Sequence, residues 1–254
     1  MNPVIVRNIA IGEGRPKICV PIVASTKEAI LQEAASFHQL PIDVVEWRAD
    51  WFEHVFETEQ VLETGRELRA VLDDIPLLFT FRTAKEGGEK TITPEAYASL
   101  NIAAAESGFA DLIDVEIFTG DAIVRTIIDA AHKAGVKVIA SNHDFHKTPE
   151  KEELIRRLCK MQESGADIPK IAVMPQSKQD VLTLLAATLE MSEKHAQGPI
   201  ITMSMSGTGV VSRLTGESFG SALTFGAAAK ASAPGQIGVR QLADVLSIIH
   251  QSLG

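Results

Sequence analysis

The sequence predicts an α/β fold in which eight parallel strands close into a barrel. Eight short apolar runs alternate with helix-like segments, and their starts recur every 22 to 35 residues, the interval of one strand, one helix and two short loops. The chain length of 254 residues matches the roughly 250 residues typical of an eight-fold α/β barrel. An open doubly wound sheet is the alternative, but eight strands in this length favour the barrel.

The predicted strands are nearly continuous apolar runs, as buried parallel strands are. They span Lys17–Val23, Val44–Asp50, Leu77–Arg82, Leu112–Phe118, Lys137–Asn142, Lys170–Met174, Ile200–Met205 and Ala222–Gly226. Ahead of them, Ile5–Ile11 followed by Gly12–Glu13–Gly14 predicts a small β-hairpin that closes the barrel bottom. No linker or charge block marks a second domain, so we expect residues 1–254 to form one domain.

Helix boundaries are marked by capping residues between these runs. Ser25–Glu28 resembles a capping box, and Thr93–Pro94 and Thr148–Pro149 each place a hydroxyl cap before a proline at the first helical position. We expect the two helices after these prolines to end at Gly108 and Gly165, and Ser177 to cap another helix that ends at Gly198. The last helix is predicted over Val239–Leu253.

Charge and composition exclude several classes of protein. The formal net charge is −9, which argues against nucleic-acid binding and against a polybasic membrane contact. No apolar run approaches the roughly 20 residues that span a bilayer, and no signal-peptide pattern begins the chain. Cys19 and Cys159 lack metal-like spacing, so we expect two buried free thiols in a reducing cytoplasm.

Polar side chains gather at the carboxyl ends of the predicted strands, where chemistry lies in such barrels. They are Glu46, Arg48 and Asp50 on the second strand, Arg82 and Glu86 after the third, Asp114 and Glu116 on the fourth, Ser141–Asp144 at the end of the fifth, Lys170 on the sixth and Arg213 after the seventh. Alternation directs Glu46, Arg48 and Asp50 toward the barrel axis. Asp114 and Glu116 have an alternative interpretation as buried charged residues whose only role is mutual satisfaction inside the barrel. Glu86 and Arg213 have an alternative interpretation as solvent-exposed residues at the rim.

Lys170 is the most informative single residue, because lysine is rarely buried without a partner. It is followed by the apolar run Ile171–Met174. Burial and neighbouring positive charge would leave a neutral amine able to attack a ketone. The alternative is a lysine at the start of its strand whose stem reaches the barrel bottom.

His143 has two functional interpretations and one structural interpretation. Together with Asp144 and His146 it suggests a metal site, but the spacing is a weak signal and no further ligands are evident. A proton-transfer histidine facing the lysine of the neighbouring strand fits better, and a core or capping histidine is the structural alternative.

Three arginines, Arg48, Arg82 and Arg213, lie at or shortly after the ends of predicted strands in a chain that is acidic overall, and they indicate a small anionic substrate. The sequence contains no phosphate-binding loop, so a substrate carboxylate is favoured over a phosphate.

Motifs along nearly the whole chain resemble the type I 3-dehydroquinate dehydratase family. The matching segments are Glu46–Trp47–Arg48, Phe79–Arg82, Lys85–Gly88, Ser141–Phe145, Pro169–Ala172, Met203–Met205, Ser212–Arg213 and Ala231–Gln236. This resemblance implies a (β/α)8 TIM-barrel hydro-lyase that uses no metal or organic cofactor and assembles as a homodimer.

The same resemblance implies a role for each site residue. Lys170 is then the Schiff-base lysine, His143 the general acid/base and Glu86 the carboxylate that positions His143. The substrate carboxylate is held by Arg213, Ser232 and Gln236, the ring hydroxyls by Glu46, Arg48 and Arg82, and the apolar wall is formed by Met203, Met205 and Phe225. The small-residue stretch Lys230–Gly238 is expected to close as a lid.

The sequence differs from the family pattern at one position, and three alternative functions remain to be compared with it. Some family members place a serine where this chain has Pro21, so that hydroxyl contact is not expected here. The rivals are a class I aldolase, which would need a phosphate site late in the barrel, a non-catalytic binding barrel that would bind without turnover, and a metal-dependent hydrolase that chelators would inactivate.

Overall fold

A computed structural model of the chain describes residues 2–228 and 235–254. The strands are β1 Val4–Val6, β2 Ile9–Ile11, β3 Lys17–Ile22, β4 Val44–Arg48, β5 Leu77–Thr80, β6 Leu112–Glu116, β7 Lys137–Asp144, β8 Ile168–Val173, β9 Ile201–Ser204, β10 Leu223–Ala227 and β11 Ile237–Gly238. Eight parallel strands form one sheet in the order β10-β3-β4-β5-β6-β7-β8-β9, with the short β11 beside β10.

The edges of this sheet meet at β9 and β10. An isolated parallel bridge joins Ile200 to Ser221, and the Ala222 N–H donates to the Ile200 carbonyl at 2.8 Å. The Thr202 N–H adds a bond to the Ser221 hydroxyl at 3.0 Å. The predicted closed α/β barrel is therefore confirmed.

A hairpin of β1 and β2 closes the bottom of the barrel, as the sequence predicted. Its buried Val6 and Ile11 pack against an apolar layer to which every barrel strand contributes one residue. That layer consists of Cys19, Val44, Leu78, Leu112, Ile139, Ile168, Ile201 and Leu223. Because the bottom is filled with apolar side chains, polar groups inside the barrel lie toward the opposite end.

Helices cover the outside of the barrel and bury its outward-facing strand residues. They are α1 Lys27–Ser36, α2 Thr58–Leu72, α3 Pro94–Glu106, α4 Asp121–Lys133, α5 Lys151–Glu163, α6 Lys178–Glu190, α7 Val210–Leu214, α8 Gly216–Phe219 and α9 Val239–Leu253. Thr93 and Ser177 cap α3 and α6 as predicted. Thr26 rather than Ser25 caps α1.

Two helix predictions were wrong. Thr148 does not cap α5, because its hydroxyl donates to the Met174 carbonyl at 3.2 Å and the helix begins only at Lys151. The helix after Ser177 ends before Gly198, since its last turn widens into a π-helix over Met191–His195.

The carboxyl ends of three strands differ from the prediction in a way that shapes the site. The chain leaves β4, β5 and β6 earlier than expected and turns within a few residues into the short 3-10 helices Ala49–Trp51, Ala84–Glu86 and Ile117–Thr119. Strand β8 instead begins earlier, so Lys170 is its third residue rather than its first.

Candidate active site

One pocket at the carboxyl ends of the barrel strands gathers the predicted site residues. Its empty volume is about 490 Å³, its open mouth included. The lining residues are Glu46, Arg48, Arg82, Glu86, Gly87, His143, Phe145, Lys170, Ala172, Met203, Met205, Arg213, Phe225 and Gln236. All predicted catalytic and binding residues except Ser232 are among them. Residues 230–234 of the predicted lid region, Ser232 among them, lie outside the described part of the chain.

Lys170 lies inside the barrel with only 2% of its surface exposed. Its Nζ is 3.0 Å from Asp114 Oδ2 and 4.6 Å from the ring centre of Phe225. A lysine that reached the barrel bottom would contact the hairpin layer instead, so that alternative is wrong. The nearest charge is also negative, although only positive neighbours were expected from the sequence.

Asp114 is a site residue whose role sequence reasoning missed. Besides Lys170, it contacts Arg82 Nη2 at 2.8 Å and accepts a bond from the Ser141 hydroxyl at 2.5 Å. Burial alone would raise its pKa, but Arg82 and Lys170 outweigh burial and lower the pKa to about 2. Asp114 is therefore the anionic counterpart of the lysine.

Glu116 does not form a self-satisfying pair with Asp114. Its Oε1 lies 3.0 Å from Arg82 Nη1, and it accepts bonds from the Thr83 amide and hydroxyl at 2.8 and 2.7 Å. Both acids instead contact the guanidinium of Arg82, which thus links Glu116 to the Asp114–Lys170 pair.

Asp114→Asn is expected to reduce the free energy of unfolding by about 3–5 kcal/mol, the usual effect of removing one partner of a buried ion pair. The effect follows because the substitution removes the carboxylate that contacts both the buried guanidinium of Arg82 and the buried Nζ of Lys170. Urea unfolding at neutral pH measures the loss. Asp121→Asn, which alters an exposed pair with Lys160, is the control and should unfold like the unsubstituted chain.

The pH dependence of that loss follows from the lowered pKa of Asp114. A folded-state pKa below the unfolded value gives stability that is present above about pH 4 and lost as the pH falls toward 2. The difference between Asp114→Asn and the unsubstituted chain should therefore shrink across this window. A difference that stays constant from pH 7 to the acid limit of folding would contradict the ion-pair explanation.

His143 and Glu86 form a hydrogen-bonded pair at the edge of the same pocket. The Nδ1 atom of His143 lies 2.9 Å from Glu86 Oε2, and the backbone N–H of His143 donates to that oxygen at 2.9 Å. Nε2, on the far side of the ring, faces away from Glu86. Register places His143 opposite Ala172, two residues beyond Lys170 on the adjacent strand, so imidazole and amine line one pocket.

Burial shifts the pKa of both members of this pair. It lowers the pKa of His143 well below the usual value, and the charges of Arg82 and Lys170 act in the same direction. Burial, followed by repulsion from Glu116, raises the pKa of Glu86 to about 8. A neutral imidazole near neutral pH is the form that can accept a proton.

The suggested metal site at His143, Asp144 and His146 gains no support from the geometry. Asp144 Oδ1 instead accepts the backbone N–H groups of His146 and Lys147, both at 3.0 Å. Within residues 2–228 and 235–254, no group of three or more His, Cys, Asp or Glu side chains is arranged to hold a metal ion.

Arg48 lines the pocket and is held by Asp50. Its Nε and Nη2 donate to the two carboxylate oxygens of Asp50, each at 2.8 Å. Asp50 itself does not line the pocket, because it belongs to the 3-10 helix after β4, where strand alternation no longer applies. Glu46, by contrast, lines the pocket and accepts a bond from the Thr80 hydroxyl at 2.9 Å.

Arg213 brings a guanidinium to the opposite wall. It is 1% exposed, burial lowers its pKa to about 10, and its Nη1 lies 3.7 Å from the Met203 sulfur. Met205 and Phe225 complete this apolar wall, and Gln236 reaches the pocket from the segment that precedes α9. A buried cation beside apolar surface suits a carboxylate ligand that also presents a carbon ring.

Gly87, Phe145 and Ala172 also line the pocket, although no role was predicted for them from the sequence. Gly87 has φ +84°, and a Cβ there would overlap the ring of Phe145. The Gly87–Gly88 pair and Phe145 stand within the quoted motifs, so the signal was present, but their mutual packing depends on the fold.

No helix among the described ranges is both long and apolar enough to cross a membrane. Cys19 and Cys159 are free, as predicted, but Cys159 is only partly buried.

Comparison with known proteins gives a consistent result. The family described as type I 3-dehydroquinase matches residues 18–253. The 3-dehydroquinate dehydratases of Clostridioides difficile strain 630 and Salmonella agona strain SL483 are each 57% identical, over 98% and 99% of this chain and 97% and 100% of theirs.

Solved structures give the same grouping. The crystal structure of type I 3-dehydroquinate dehydratase from Clostridium difficile with covalently modified comenic acid has a TM-score of 0.96 at 57% identity, covering 98% of both chains. The enzyme structure from Enterococcus faecalis has a TM-score of 0.92 at 48% identity, covering 97% of this chain and 99% of that one.

Proposed function

The chain belongs to the type I 3-dehydroquinase family, and we propose that this hydro-lyase converts 3-dehydroquinate to 3-dehydroshikimate through a Schiff base on Lys170. The reaction is a step of the shikimate pathway, which leads to the aromatic amino acids. The observation that carries the proposal is a buried amine, Lys170, in one pocket with the imidazole of His143.

The first half of the proposed reaction forms the imine. The Lys170 nitrogen adds to the ring ketone carbon, and the carbonyl oxygen leaves as water. Asp114, 3.0 Å from Nζ, is placed to balance the positive charge of the resulting iminium. The iminium withdraws electrons and acidifies the neighbouring C–H bond.

The second half eliminates the hydroxyl group. Nε2 of His143 takes the proton from the acidified carbon, the electron pair forms the new double bond, and hydroxide leaves with a proton returned by His143. Water then adds to the conjugated imine, releasing 3-dehydroshikimate and the free amine of Lys170. The net change is the loss of one water, and it uses only side chains of the protein.

The remaining pocket residues orient the substrate in this proposal. Arg213 and Gln236, together with Ser232, hold the substrate carboxylate. Glu46, Arg48 and Arg82 hold the ring hydroxyls. The wall of Met203, Met205 and Phe225 packs against the ring. The buried Arg213 beside Met203 supports the first assignment, and the fixed position of Arg48 on Asp50 supports the second.

The proposed reaction is tested by mixing the protein with 3-dehydroquinate and following the ultraviolet absorbance of the conjugated enone product. A parallel sample receives borohydride, which reduces an imine to a stable amine, and peptide mass analysis then locates the adduct. We expect turnover and an adduct on Lys170. Turnover without an adduct would retain the substrate and overturn the imine, and the absence of turnover would overturn the substrate.

Three broader features belong to the same proposal. We expect residues 1–254 to form one catalytic domain, to pair as a homodimer and to work in the cytoplasm. The free thiols of Cys19 and Cys159 are consistent with a reducing compartment, and light scattering of the purified protein measures the assembly.

A further inference from the structure

Glu86 receives a hydrogen bond from a residue that has no role in the proposed reaction. The side-chain amide of Asn142 donates to Glu86 Oε1 at 3.1 Å. Asn142 is 6% exposed, directly precedes His143 on β7 and is outside the lining of the active-site pocket. Asn142 therefore contacts the Glu86–His143 pair from outside the active-site pocket.

Arg157 on the outer helix α5 decides which way that amide faces. Arg157 Nη1 donates to Asn142 Oδ1 at 2.8 Å, while its Nε donates to Glu153 Oε1 at 2.6 Å. A guanidinium can only donate. The oxygen of Asn142 must therefore face Arg157, and its NH₂ group must face Glu86.

The orientation of the Asn142 amide affects the His143 imidazole through the two carboxylate oxygens of Glu86. Oε1 accepts the amide of Asn142, and Oε2 accepts the backbone N–H of His143. These donors favour the carboxylate of Glu86, which forms above its pKa of about 8 and can only accept at Nδ1 of His143. The ring then carries its proton on Nδ1, and Nε2 keeps the lone pair that takes the substrate proton.

Without the Asn142 donor, protonated Glu86 with the imidazole proton on Nε2 becomes competitive with the Nδ1–H arrangement. Burial and Glu116 raise the pKa of Glu86, and Asn142 acts against them. An acid form of Glu86 would donate to Nδ1 and move the ring proton to Nε2, which cannot act as a base. The charged groups that face the pair are Arg82 and Glu116 at Glu86, and Arg82, Lys170 and Arg48 at His143.

We propose that Asn142 and Arg157 are positioning residues that select the Nδ1–H tautomer of His143 through Glu86. The inference rests on the proposed function only for its kinetic consequence, because the tautomer is a property of the resting protein. It places part of the control of the reaction on the outer helix layer of the barrel.

The test combines imidazole ¹⁵N NMR with steady-state kinetics on Asn142→Ala and Arg157→Met. His143→Gln assigns the His143 signals among the seven histidines. Arg156→Met is the matched control, because Arg156 is adjacent and also binds Glu153 but does not contact Asn142. The pH profile of kcat is recorded for each variant.

At about pH 9, above the Glu86 pKa of about 8, we expect Nδ1–H in the unsubstituted protein and in Arg156→Met, and a shift toward Nε2–H in the other two. Their kcat should fall about 10- to 100-fold, within the range of a general base, with KM nearly unchanged. An unchanged tautomer overturns the proposal even where kcat falls, and so does unchanged kcat with a shifted tautomer. If 3-dehydroquinate is not turned over at all, the tautomer measured by NMR alone tests the proposal. If Asn142→Ala does not fold, Arg157→Met provides the test, because the Arg157 side chain is 17% exposed.

Discussion

Lys170→Ala is expected to lower kcat/KM for 3-dehydroquinate by more than about 10⁴-fold and to abolish the borohydride-trapped adduct. General acid–base catalysis is worth roughly 10²–10⁴-fold, whereas enzymes accelerate reactions by about 10⁶-fold or more. The imine must supply the remainder, and it needs the amine that lies 3.0 Å from Asp114 in the pocket. Initial rates of enone formation at several substrate concentrations measure the loss.

Two further variants separate loss of chemistry from loss of structure. Lys170→Met keeps an unbranched chain in the barrel interior and should be equally inactive. Lys137→Ala removes another strand lysine, which is 40% exposed and paired with Asp167 at the opposite end of the barrel. It should keep full activity. An adduct that persists in Lys170→Met, or activity within about tenfold of the unsubstituted protein, would contradict a covalent role for Lys170.

The role of Lys170 shows what residue type alone can predict. A lysine beside an apolar run indicates a buried amine, and the structure buries it. The sequence could not predict its partner, because Asp114 is 56 positions away and β7 lies between the two strands. Ser141 on β7 pairs with Lys170 in register, and its hydroxyl donates to the same Asp114 carboxylate. Such an ion pair follows from sheet register, which the sequence does not reveal residue by residue.

Asp50 and Thr148 show two limits of local rules. Alternation assigned Asp50 to the barrel interior, but it fails once the chain turns into a 3-10 helix after Arg48. Thr148 has the sequence pattern of a helix cap, yet its hydroxyl finds the Met174 carbonyl of the neighbouring segment. The first rule failed because the strand ended earlier than the pattern indicated, and the second because a contact distant in sequence outweighed a local preference.

The strand pattern and the pocket lining were far more predictable. Parallel barrel strands are buried on both sides, so their apolar runs stand out and fix the fold. Polar residues at the ends of such runs converge at one mouth by geometry, which is how Glu46, His143 and Arg213 come to line one pocket. The chemistry assigned to them came from family resemblance, since position alone left a structural alternative for each.

His143→Ala is expected to lower kcat by about 10²–10⁴-fold, the usual contribution of a general base. Imine formation requires the amine of Lys170 rather than the imidazole, so the borohydride adduct should still form, and its yield should rise as the step after it slows. The Nδ1 contact with Glu86 at 2.9 Å leaves Nε2 as the reacting atom. Single-turnover rates and adduct yield measure the two effects together.

The acid side of the pH profile gives an independent check on His143. Burial lowers the pKa of the imidazole, so protonation of the ring should reduce activity only below pH 6.5, separate from any fall near pH 8 that protonation of Glu86 causes. That acid limb of kcat/KM should disappear in His143→Ala. His146→Ala is the matched control, because His146 lies three residues away, outside the pocket lining, and should leave both rate and profile unchanged. An acid limb below pH 6.5 that survives His143→Ala would assign the proton transfer to another group.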